Sequence, residues 1–272
     1  MSDHADRAIA WRHGYHAAVC GRVLPWAHGT VVRADDAPSY YEYNLARVEG
    51  PDPALDARTP RRRASASGEA SNAEALAAAA EPALADLGHR RIEVEDTAAG
   101  ARVAPGFAAM GWTVERLAFL HRELPAPPPR GRHGAELRVE GFEATRPLRR
   151  AWQGESIWGE EAGFTLLEEM VAARRGTRAV VGFIEGEPAG FAAFSAHGDS
   201  AEVELVFCRP ERRNGGLGGD LVARALQEAH AAGARHALIE ADDEGESKRL
   251  YERLGFRTVW VRHVFTRVGE RA

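Results

Sequence analysis

The stretch that decides the fold is a glycine-rich segment, CRPERRNGGLGGDL, which runs from Cys208 to Leu221. It joins a predicted strand at 201–208 to a predicted helix at 220–232. Its four glycines leave the backbone amides unshielded by side chains, and the start of the following helix presents unpaired N–H donors and the positive end of a dipole. The segment therefore predicts a phosphate-binding turn, to which Arg213 adds a fixed positive charge. A plain tight turn before a helix is the alternative.

Two familiar phosphate-binding motifs do not fit this segment. A Walker loop requires lysine and then serine or threonine after its last glycine, whereas the lysine of this chain is Lys248. A dinucleotide fingerprint that began at Gly216 would require glycine or alanine in place of Leu221. The pattern that fits is Arg/Gln-x-x-Gly-x-Gly/Ala, from Arg213 to Gly218. This pattern resembles the pyrophosphate-binding motif of the GNAT acetyltransferase superfamily, whose members bind acetyl-CoA.

The resemblance covers about residues 137–266 and includes two further motifs. The strand before the turn, EVELVFCRP at 202–210, has the spacing of the family's splayed central strand. Further along the chain, LYERLGF at 250–256 resembles the family's Leu-Tyr-x-x-x-Gly-Phe turn from helix to strand. The order and separation of these motifs imply a GNAT module in the second half of the chain.

An internal repeat extends this interpretation to the first half. The segment FAAMGWTV at 107–114 resembles YERLGFRT at 251–258, at an offset of 144 residues, and LGHRRIEV at 87–94 resembles AGARHALI at 232–239. A tandem duplication explains both similarities, and chance similarity is the alternative. The predicted fold class is α/β, with two tandem GNAT-like modules, each a mixed, mostly antiparallel central sheet flanked by helices. The N-terminal copy is degenerate, because no glycine loop follows RVEGPDP at 47–53.

Two stretches with a distinct composition divide the chain. Residues 50–72 are basic, turn-rich and poor in large apolar side chains, which predicts a mobile loop. Residues 125–134 begin with a proline-rich tract, which is typical of a semi-rigid spacer. The predicted domains are therefore a degenerate GNAT-like domain at 1–124, a linker at 125–134 and an acetyltransferase domain at 135–272.

Composition and charge exclude several classes of protein. The 272 residues carry a formal net charge of −5 at pH 7, which disfavours a nucleic-acid partner. The chain shows neither a secretory signal nor the roughly 20 uninterrupted apolar residues of a membrane span. Its two cysteines, Cys20 and Cys208, offer neither a disulfide framework nor a cysteine zinc site. We therefore expect a cytoplasmic protein without a membrane partner or a metal, and a homodimer is left open.

The GNAT resemblance implies direct transfer of the acetyl group within a ternary complex, without an acyl-enzyme. The pantetheine arm then lies like an extra strand beside the splayed strand, and the diphosphate lies on the amides of the glycine-rich turn. The residues that the resemblance assigns to acetyl-CoA are Val206, Phe207, Cys208, Arg213, Asn214, Gly215, Gly216, Leu217, Gly218 and Gly219. Cys208 is expected to pack in a buried strand rather than to act as a nucleophile.

Three residues are candidates for proton transfer. An alkylammonium acceptor must lose a proton before it attacks, which costs about 4–5 kcal/mol at pH 7. Glu202 and Glu204 share one side of their strand, and a carboxylate on this strand is the base in some family members; a solvated strand face is the alternative. Tyr251 corresponds to the tyrosine that protonates the departing thiolate, with a core tyrosine as the alternative. The family often has asparagine seven residues earlier, where this chain has Glu244.

These observations predict an N-acetyltransferase that moves the acetyl group of acetyl-CoA to a primary amine of a small molecule or peptide. A non-catalytic regulator or interaction protein that binds acyl-CoA is the alternative from another class. In the first half, the aromatic and histidine side chains at 11–16 and 40–43 are compatible with an acceptor pocket or with a core.

Overall fold

The computed structural model describes residues 3–50, 66–131, 134–155 and 164–269 and divides into two units. The N-terminal unit comprises Met1–Ala118, Asp242–Glu244 and Trp260–Ala272, and the C-terminal unit comprises Phe119–Ala241 and Gly245–Val259. These units do not coincide with the predicted domains at 1–124 and 135–272: the division falls at Ala118, and the end of the chain groups with the N-terminal unit. The reason is that the last strand pairs with a strand of the first half of the chain.

The described residues of the N-terminal unit form three α-helices, three five-residue strands and longer strands that complete its sheet. The helices are α1 (Asp3–Val19), α2 (Ala66–Leu84) and α3 (Thr97–Ala109), and the strands are β1 (Arg22–Trp26), β2 (Gly29–Arg33), β3 (Asn44–Val48), β4 (His89–Val94) and β5 (Thr113–Glu123). Residues 119–123 of β5 belong to the C-terminal unit.

The part of the C-terminal unit that the structure describes forms four α-helices. The helices are α4 (Arg146–Glu155), α5 (Phe164–Arg175), α6 (Leu217–Ala231) and α7 (Glu246–Arg253), and the strands are β6 (Glu136–Gly141), β7 (Arg178–Ile184), β8 (Glu187–His197), β9 (Ser200–Cys208), β10 (His236–Asp242) and β11 (Arg257–Val268). Residues 260–268 of β11 belong to the N-terminal unit. Among the residues that the structure describes, no helix is both long and apolar enough to cross a lipid bilayer.

Each unit has a mixed sheet in which antiparallel pairs predominate, as predicted. In the N-terminal unit the strand order is β1-β2-β3-β4-β11-β5, and β3 and β4 form a parallel pair. In the C-terminal unit the order is β5-β10-β9-β8-β7-β6, and β9 and β10 form a parallel pair. The pairs β1–β2, β2–β3, β4–β11, β6–β7, β7–β8 and β8–β9 are antiparallel.

The two turn-rich stretches are only partly as predicted. Of the loop predicted at 50–72, residues 51–65 lie outside the described part of the chain, and α2 is already helical from Ala66. The described part of the predicted linker is no free spacer, because the amides of Arg130 and Gly131 donate to the buried carboxylate of Asp220 in α6, each at 2.7 Å.

The repeat seen in the sequence is also a repeat of backbone structure. At the end of α3, the Trp112 amide donates to the Phe107 carbonyl oxygen at 3.1 Å, and at the end of α7 the Phe256 amide donates to the Tyr251 carbonyl oxygen at 3.1 Å. Each pair flanks a glycine with positive φ, 76° at position 111 and 88° at position 255. Because the same turn recurs 144 residues apart, the structure supports a duplicated module over chance similarity.

The core of the N-terminal unit is built from both ends of the chain. Phe107 of α3 stacks on Phe265 of β11 with ring centroids 4.1 Å apart and planes 8° apart. Leu76 and Ile92 complete this buried cluster from α2 and β4. Tyr43 is also buried, with its ring 5.3 Å from that of Tyr15. Of the aromatic residues at 11–16 and 40–43, Tyr43 therefore packs as core, whereas Tyr15 is half-buried.

Beside this core lies a buried network of opposite charges. Arg12 contacts Glu93 at 2.8 Å and also pairs with Glu42. Arg91 and Arg262 reach Glu42 at 3.1 and 3.4 Å, and Arg262 also pairs with Glu93. Burial opposes ionisation of Glu42, but these three arginines outweigh it and hold the pKa of Glu42 well below its usual range.

Two histidines of this unit are buried in their neutral form. Burial lowers the pKa of His16 well below its usual value, and the charges of Arg12 and Arg47 lower it further. Burial also lowers the pKa of His89 to about 4, although its Nε2–H donates to the Asn44 carbonyl oxygen at 2.9 Å. Because the unfolded chain takes up protons at these positions below its ordinary pKa of about 6.5, acidification favours unfolding.

We expect His89 to contribute a measurable part of this acid sensitivity. Between pH 7 and pH 5 the unfolded state protonates at position 89 and the folded state does not, which lowers the free energy of unfolding by about 2 kcal/mol. In urea denaturation at both pH values, His89→Gln should lose this much of the pH dependence. The partly exposed His28, changed to Gln, is the control and should keep it. Equal pH dependence in His89→Gln and the unaltered protein would contradict the assignment.

Candidate active site

The site of the C-terminal unit is built around an irregularity in β9. Along the β8–β9 pair, Ala193 lies opposite Leu205 and Phe194 lies opposite Val203, so that Glu204 is an extra, unpaired residue. Such a β-bulge bends a strand and increases its twist. The parallel pairing of β9 with β10 ends at the same place, with Val203 opposite Ile239. The second half of β9, Leu205 to Cys208, therefore runs beyond the register with β10 and leaves one edge for an extended ligand.

The glycine-rich turn follows directly after this edge. Asn214 and Gly216 adopt positive φ angles of 63° and 95°, a conformation that glycine and asparagine tolerate best. The helix α6 begins at Leu217, with its first backbone bond from the Asp220 amide to the Gly216 carbonyl oxygen at 3.2 Å. The helix therefore begins three residues before the predicted start at 220, and Gly218 and Gly219 belong to the first turn of α6.

The space around these glycines fits an anion on the backbone. A Cβ atom at Gly216 would meet nothing within 4 Å, and one at Gly215 would meet only the Arg212 carbonyl oxygen, at 3.9 Å. The amides at the start of α6 precede its first helical hydrogen bond, and they lie at the positive end of a 15-residue helix. Such an open row of amides at a helix N-terminus suits a phosphate-bearing anion.

Arg213 contributes to the site through its side chain and not through its backbone amide. Its amide donates to the Pro210 carbonyl oxygen at 3.2 Å, so this N–H already has an acceptor. Its Nε donates to the Cys208 carbonyl oxygen at 3.0 Å, and its guanidinium lies 5.7 Å from the centre of the Phe207 ring. The side chain therefore brings positive charge to the junction of β9 and the turn.

Tyr251 lies in α7, close to the same junction. A Cβ atom at Gly218 would lie 3.6 Å from both Cys208 Sγ and Leu250 Cδ2, so the first turn of α6 packs against α7 next to Tyr251. The tyrosine is buried, and its ring meets Phe256 edge-on at 6.3 Å. Burial and the neighbouring Cys208 raise the pKa of Tyr251 to about 12. The phenol therefore keeps its proton at neutral pH.

The C-terminal unit thus contains an open strand edge, a turn lined by backbone amides and a protonated tyrosine. Residues 143–256 match the family model described as Acetyltransferase (GNAT) family. These residues form a GNAT acetyltransferase domain.

Two comparisons extend beyond the GNAT domain. A mycothiol acetyltransferase from Thermobispora bispora is 30% identical over 197 residues, which are 63% of this chain and 63% of that protein. The match thus spans less than two thirds of the relative's length. The GCN5-related N-acetyltransferase from Kribbella flavida is 20% identical and has a TM-score of 0.63 over 99% of this chain and 97% of that chain.

A third comparison concerns the two-module architecture. A tandem GNAT protein from the clavulanic acid biosynthesis pathway, solved without AcCoA, is 18% identical with a TM-score of 0.50, over 92% of this chain and 82% of that chain. At these identities the structural likeness shows the fold. The tandem arrangement, with an intact GNAT domain in the C-terminal half, is confirmed.

In its described residues, the N-terminal unit shows no open edge like that of the GNAT domain. Its parallel pair stays in register to the end of β3, where Val48 lies opposite Val94, and the Glu95 amide extends the pairing with a 3.1 Å bond to the Val48 carbonyl oxygen. Phe107 occupies the position that corresponds to Tyr251 and has no hydroxyl group. The described part of this module thus has neither the opening nor the proton donor.

Glu202 and Glu204 lie on the same side of β9 but are not a solvated face. Their side chains are about one-tenth exposed, and both carboxylates bind one guanidinium, that of Arg175, at 2.9 and 2.6 Å. Thr177 adds a hydroxyl donor to Glu204 at 3.3 Å. The bulge places Glu204 where β9 and β10 part, whereas Glu202 lies opposite Leu238 in the paired part.

Phe207 is part of an aromatic stack at the end of β9. Trp152 of α4 stacks on it with ring centroids 5.7 Å apart and planes 18° apart. Phe207 also packs with Phe142 and Phe191 in the core of the C-terminal unit. Trp152 itself is 37% exposed, so its outer face is accessible beside the open strand edge.

Two contributors to the site carry no signal in the local sequence. Gly190 of β8 lies opposite Cys208, where a Cβ atom would come within 2.7 Å of the Phe207 carbonyl oxygen. Arg175 lies 27 residues before Glu202, so only folding reveals their contact. Glu244, which replaces the family's asparagine, lies in the N-terminal unit, where it contacts Arg116 at 3.1 Å.

Cys208 is half-buried and is a poor nucleophile. Burial raises the pKa of Cys208 to about 11, although the charge of Arg213 opposes this shift. The thiolate fraction at pH 8 is then about 0.1%, against roughly one quarter for a free cysteine.

We therefore expect iodoacetamide to alkylate Cys208 at pH 8 about 100-fold more slowly than it alkylates free cysteine. Mass spectrometry of the peptide that contains Cys208 follows the reaction, and the guanidinium-unfolded protein is the control. A folded-state rate within threefold of the unfolded-state rate would contradict a half-buried, protonated thiol.

Proposed function

We propose that this protein is an N-acetyltransferase that moves the acetyl group of acetyl-CoA to a primary amine by direct transfer in a ternary complex. The observation that carries the proposal is the parting of β9 from β10 after Val203, directly before the open glycine-rich turn. This combination offers a strand edge and an anion site in line, as a long ligand with an amide-bearing arm and a diphosphate requires. The identity to a mycothiol acetyltransferase supports acetyl transfer in general.

Acetyl-CoA would be held by main-chain groups more than by side chains. The edge of β9 at Val206, Phe207 and Cys208 would pair with the pantetheine arm in the manner of an added strand. The diphosphate would accept from the amides of Asn214 to Gly219, with Arg213 adding charge from its side chain. The Cys208 carbonyl oxygen already accepts from Arg213 Nε at 3.0 Å, so Val206 carries more of the strand-like pairing.

Two side chains would handle the protons of the reaction. Glu204 would accept the proton that the acceptor ammonium must lose, directly or through water, before the nitrogen forms its bond to the thioester carbonyl carbon. When the carbon–sulfur bond breaks, Tyr251 would supply a proton to the departing thiolate. The raised pKa of Tyr251, about 12, suits this role, because it lies above the ordinary pKa of an alkylammonium, about 10.4, so that the phenol keeps its proton at pH values at which the amine loses one. Glu202 would act on Arg175 rather than on the amine.

The acceptor would be a small-molecule or peptide amine. The exposed face of Trp152 beside Phe207 offers an apolar surface to such a molecule or to the acyl chain. A cytoplasmic location, the absence of nucleic-acid partners and a homodimer stay predictions from the sequence.

The anion site can be tested at Gly215, which has room for a side chain. Gly215→Glu should raise the Kd for acetyl-CoA at least 30-fold in isothermal titration, because a carboxylate would repel the diphosphate and cover the amides. The matched control, Gly215→Ala, should stay within about threefold of the unaltered protein, since its Cβ would meet only Arg212 at 3.9 Å. No binding by the unaltered protein, or equal binding by all three proteins, would refute the proposal.

The role of Tyr251 can be tested by removing one oxygen atom. Tyr251→Phe should lower kcat for acetyl transfer about 10- to 100-fold and leave the Kd for acetyl-CoA unchanged. Because the pKa of Tyr251 is about 12, deprotonation of Tyr251 should not lower the rate of the unaltered enzyme between pH 8 and pH 10. Tyr41→Phe in the N-terminal unit is the control and should leave kcat unchanged.

Turnover also separates the enzyme from the alternative, a regulator that binds acyl-CoA. An enzyme releases free thiol steadily from acetyl-CoA in the presence of a panel of primary amines, whereas a sensor binds without turnover. Tight binding with no thiol release from any amine would favour the regulator.

A further inference from the structure

Arg175 joins the two glutamates of β9 into one buried ionic group. Its Nη1 contacts Glu204 Oε2 at 2.6 Å, and its Nη2 contacts Glu202 Oε2 at 2.9 Å. The side chain of Arg175 is 4% exposed. Its Nη2 also donates to Ser195 Oγ on β8 at 3.3 Å. We call Arg175, Glu202 and Glu204 the arginine clamp.

The end of α5 fixes the arginine at this place. Arg175 is the last residue of the helix, and Gly176 follows with a positive φ of 64°. The Thr177 amide then donates to the Ala172 carbonyl oxygen at 2.9 Å, which closes the helix end. The Thr177 hydroxyl donates to Glu204. The helix terminus thus holds both the guanidinium and a second hydrogen-bond donor on one carboxylate.

The charges of the arginine clamp do not cancel. Two carboxylates face one guanidinium, so the group has a net charge of −1 when both are ionised. The elements around it contribute the neutral hydroxyls of Ser195 from β8 and Thr177 from the start of β7, and the apolar Leu238 from β10. Glu240 of β10 follows one residue beyond the last paired position, Ile239. Glu202 therefore competes with Glu204 for the same cation.

We propose that Arg175 is a positioning residue that sets the proton affinity of Glu204, and that Glu202 limits the effect of Arg175. The inference rests on the proposed function, in which Glu204 takes the proton of the amine. Arg175 alone would make Glu204 a weak base, because an adjacent cation stabilises its ionised form. Glu202 draws part of that charge away, because both carboxylates bind the same guanidinium. In this arrangement the Glu204 carboxylate stays at the bulge.

Two substitutions should therefore move the titration of Glu204 in opposite directions. Arg175→Met removes the cation and should raise the pH of the acid limb of kcat/KM by about one unit or more. Glu202→Gln keeps the shape of the side chain but removes the competing anion, and should lower the limb by about one unit. The Kd for acetyl-CoA should stay unchanged in both. Arg178→Met, which removes a nearby arginine stacked on Phe194, is the control and should leave the limb in place.

A second measurement does not depend on turnover. Nuclear magnetic resonance of protein with 13C-labelled glutamate follows the Glu204 carboxyl carbon across pH, and Glu204→Gln assigns the signal. Opposite shifts of this signal in Arg175→Met and Glu202→Gln would support the arginine clamp. Should Arg175→Met fail to fold, Glu202→Gln alone tests the sign of the effect.

The two measurements separate the failure of the inference from the failure of the proposed function. In one outcome, the protein releases thiol, but the acid limb and the carboxyl signal stay at the same pH in every variant. This outcome would overturn the role of Arg175 and leave the proposed enzymatic activity standing. A carboxyl signal that moves as expected in a protein that transfers no acetyl group would support the clamp and overturn the proposed function. Opposite shifts of the acid limb and of the carboxyl signal support both the arginine clamp and the proposed function.

Discussion

The structure of the site depends on a single constraint, the extra residue in β9. Because Glu204 has no partner on β8, the strand bends, and its pairing with β10 ends one residue earlier at Val203. Backbone groups that would pair within a regular parallel sheet are therefore available to a ligand. The glycine-rich turn extends the same edge: the Arg213 amide donates to the Pro210 carbonyl oxygen, whereas the amides that follow it precede the first helical bond of α6, from Asp220 to Gly216.

The N-terminal unit shows what this module becomes without that constraint. Its parallel strands remain paired to the end of β3, and the Glu95 amide closes the position that is open in the GNAT domain. The turn between helix and strand is retained, with Phe107 and Trp112 in place of Tyr251 and Phe256. What persists in the degenerate copy is therefore the packing that supports the sheet, and what is lost is the opening between its strands.

Both units bury charged groups, and in each unit the charges are paired. In the N-terminal unit, arginines and glutamates of α1, β4 and β11 neutralise one another around Glu42 and Glu93. In the GNAT domain, Arg175 serves two carboxylates beside the open edge. Burying an ion costs several kcal/mol unless a partner of opposite charge accompanies it. The first network lies beside a closed core, whereas the second lies beside the open edge of β9.

Local sequence determined the elements that carry their own signals. The glycines and Arg213 predicted the turn, the Leu-Tyr-x-x-x-Gly-Phe motif predicted the end of α7, and the 144-residue offset predicted two modules. Only the tertiary structure decided that the last strand pairs in the N-terminal unit, that Glu204 sits in a bulge and that Arg175 holds both glutamates. The physical reason is range: backbone conformation follows from neighbouring residues, whereas strand pairing and buried ion pairs join residues far apart in the chain and are fixed only when the whole core packs.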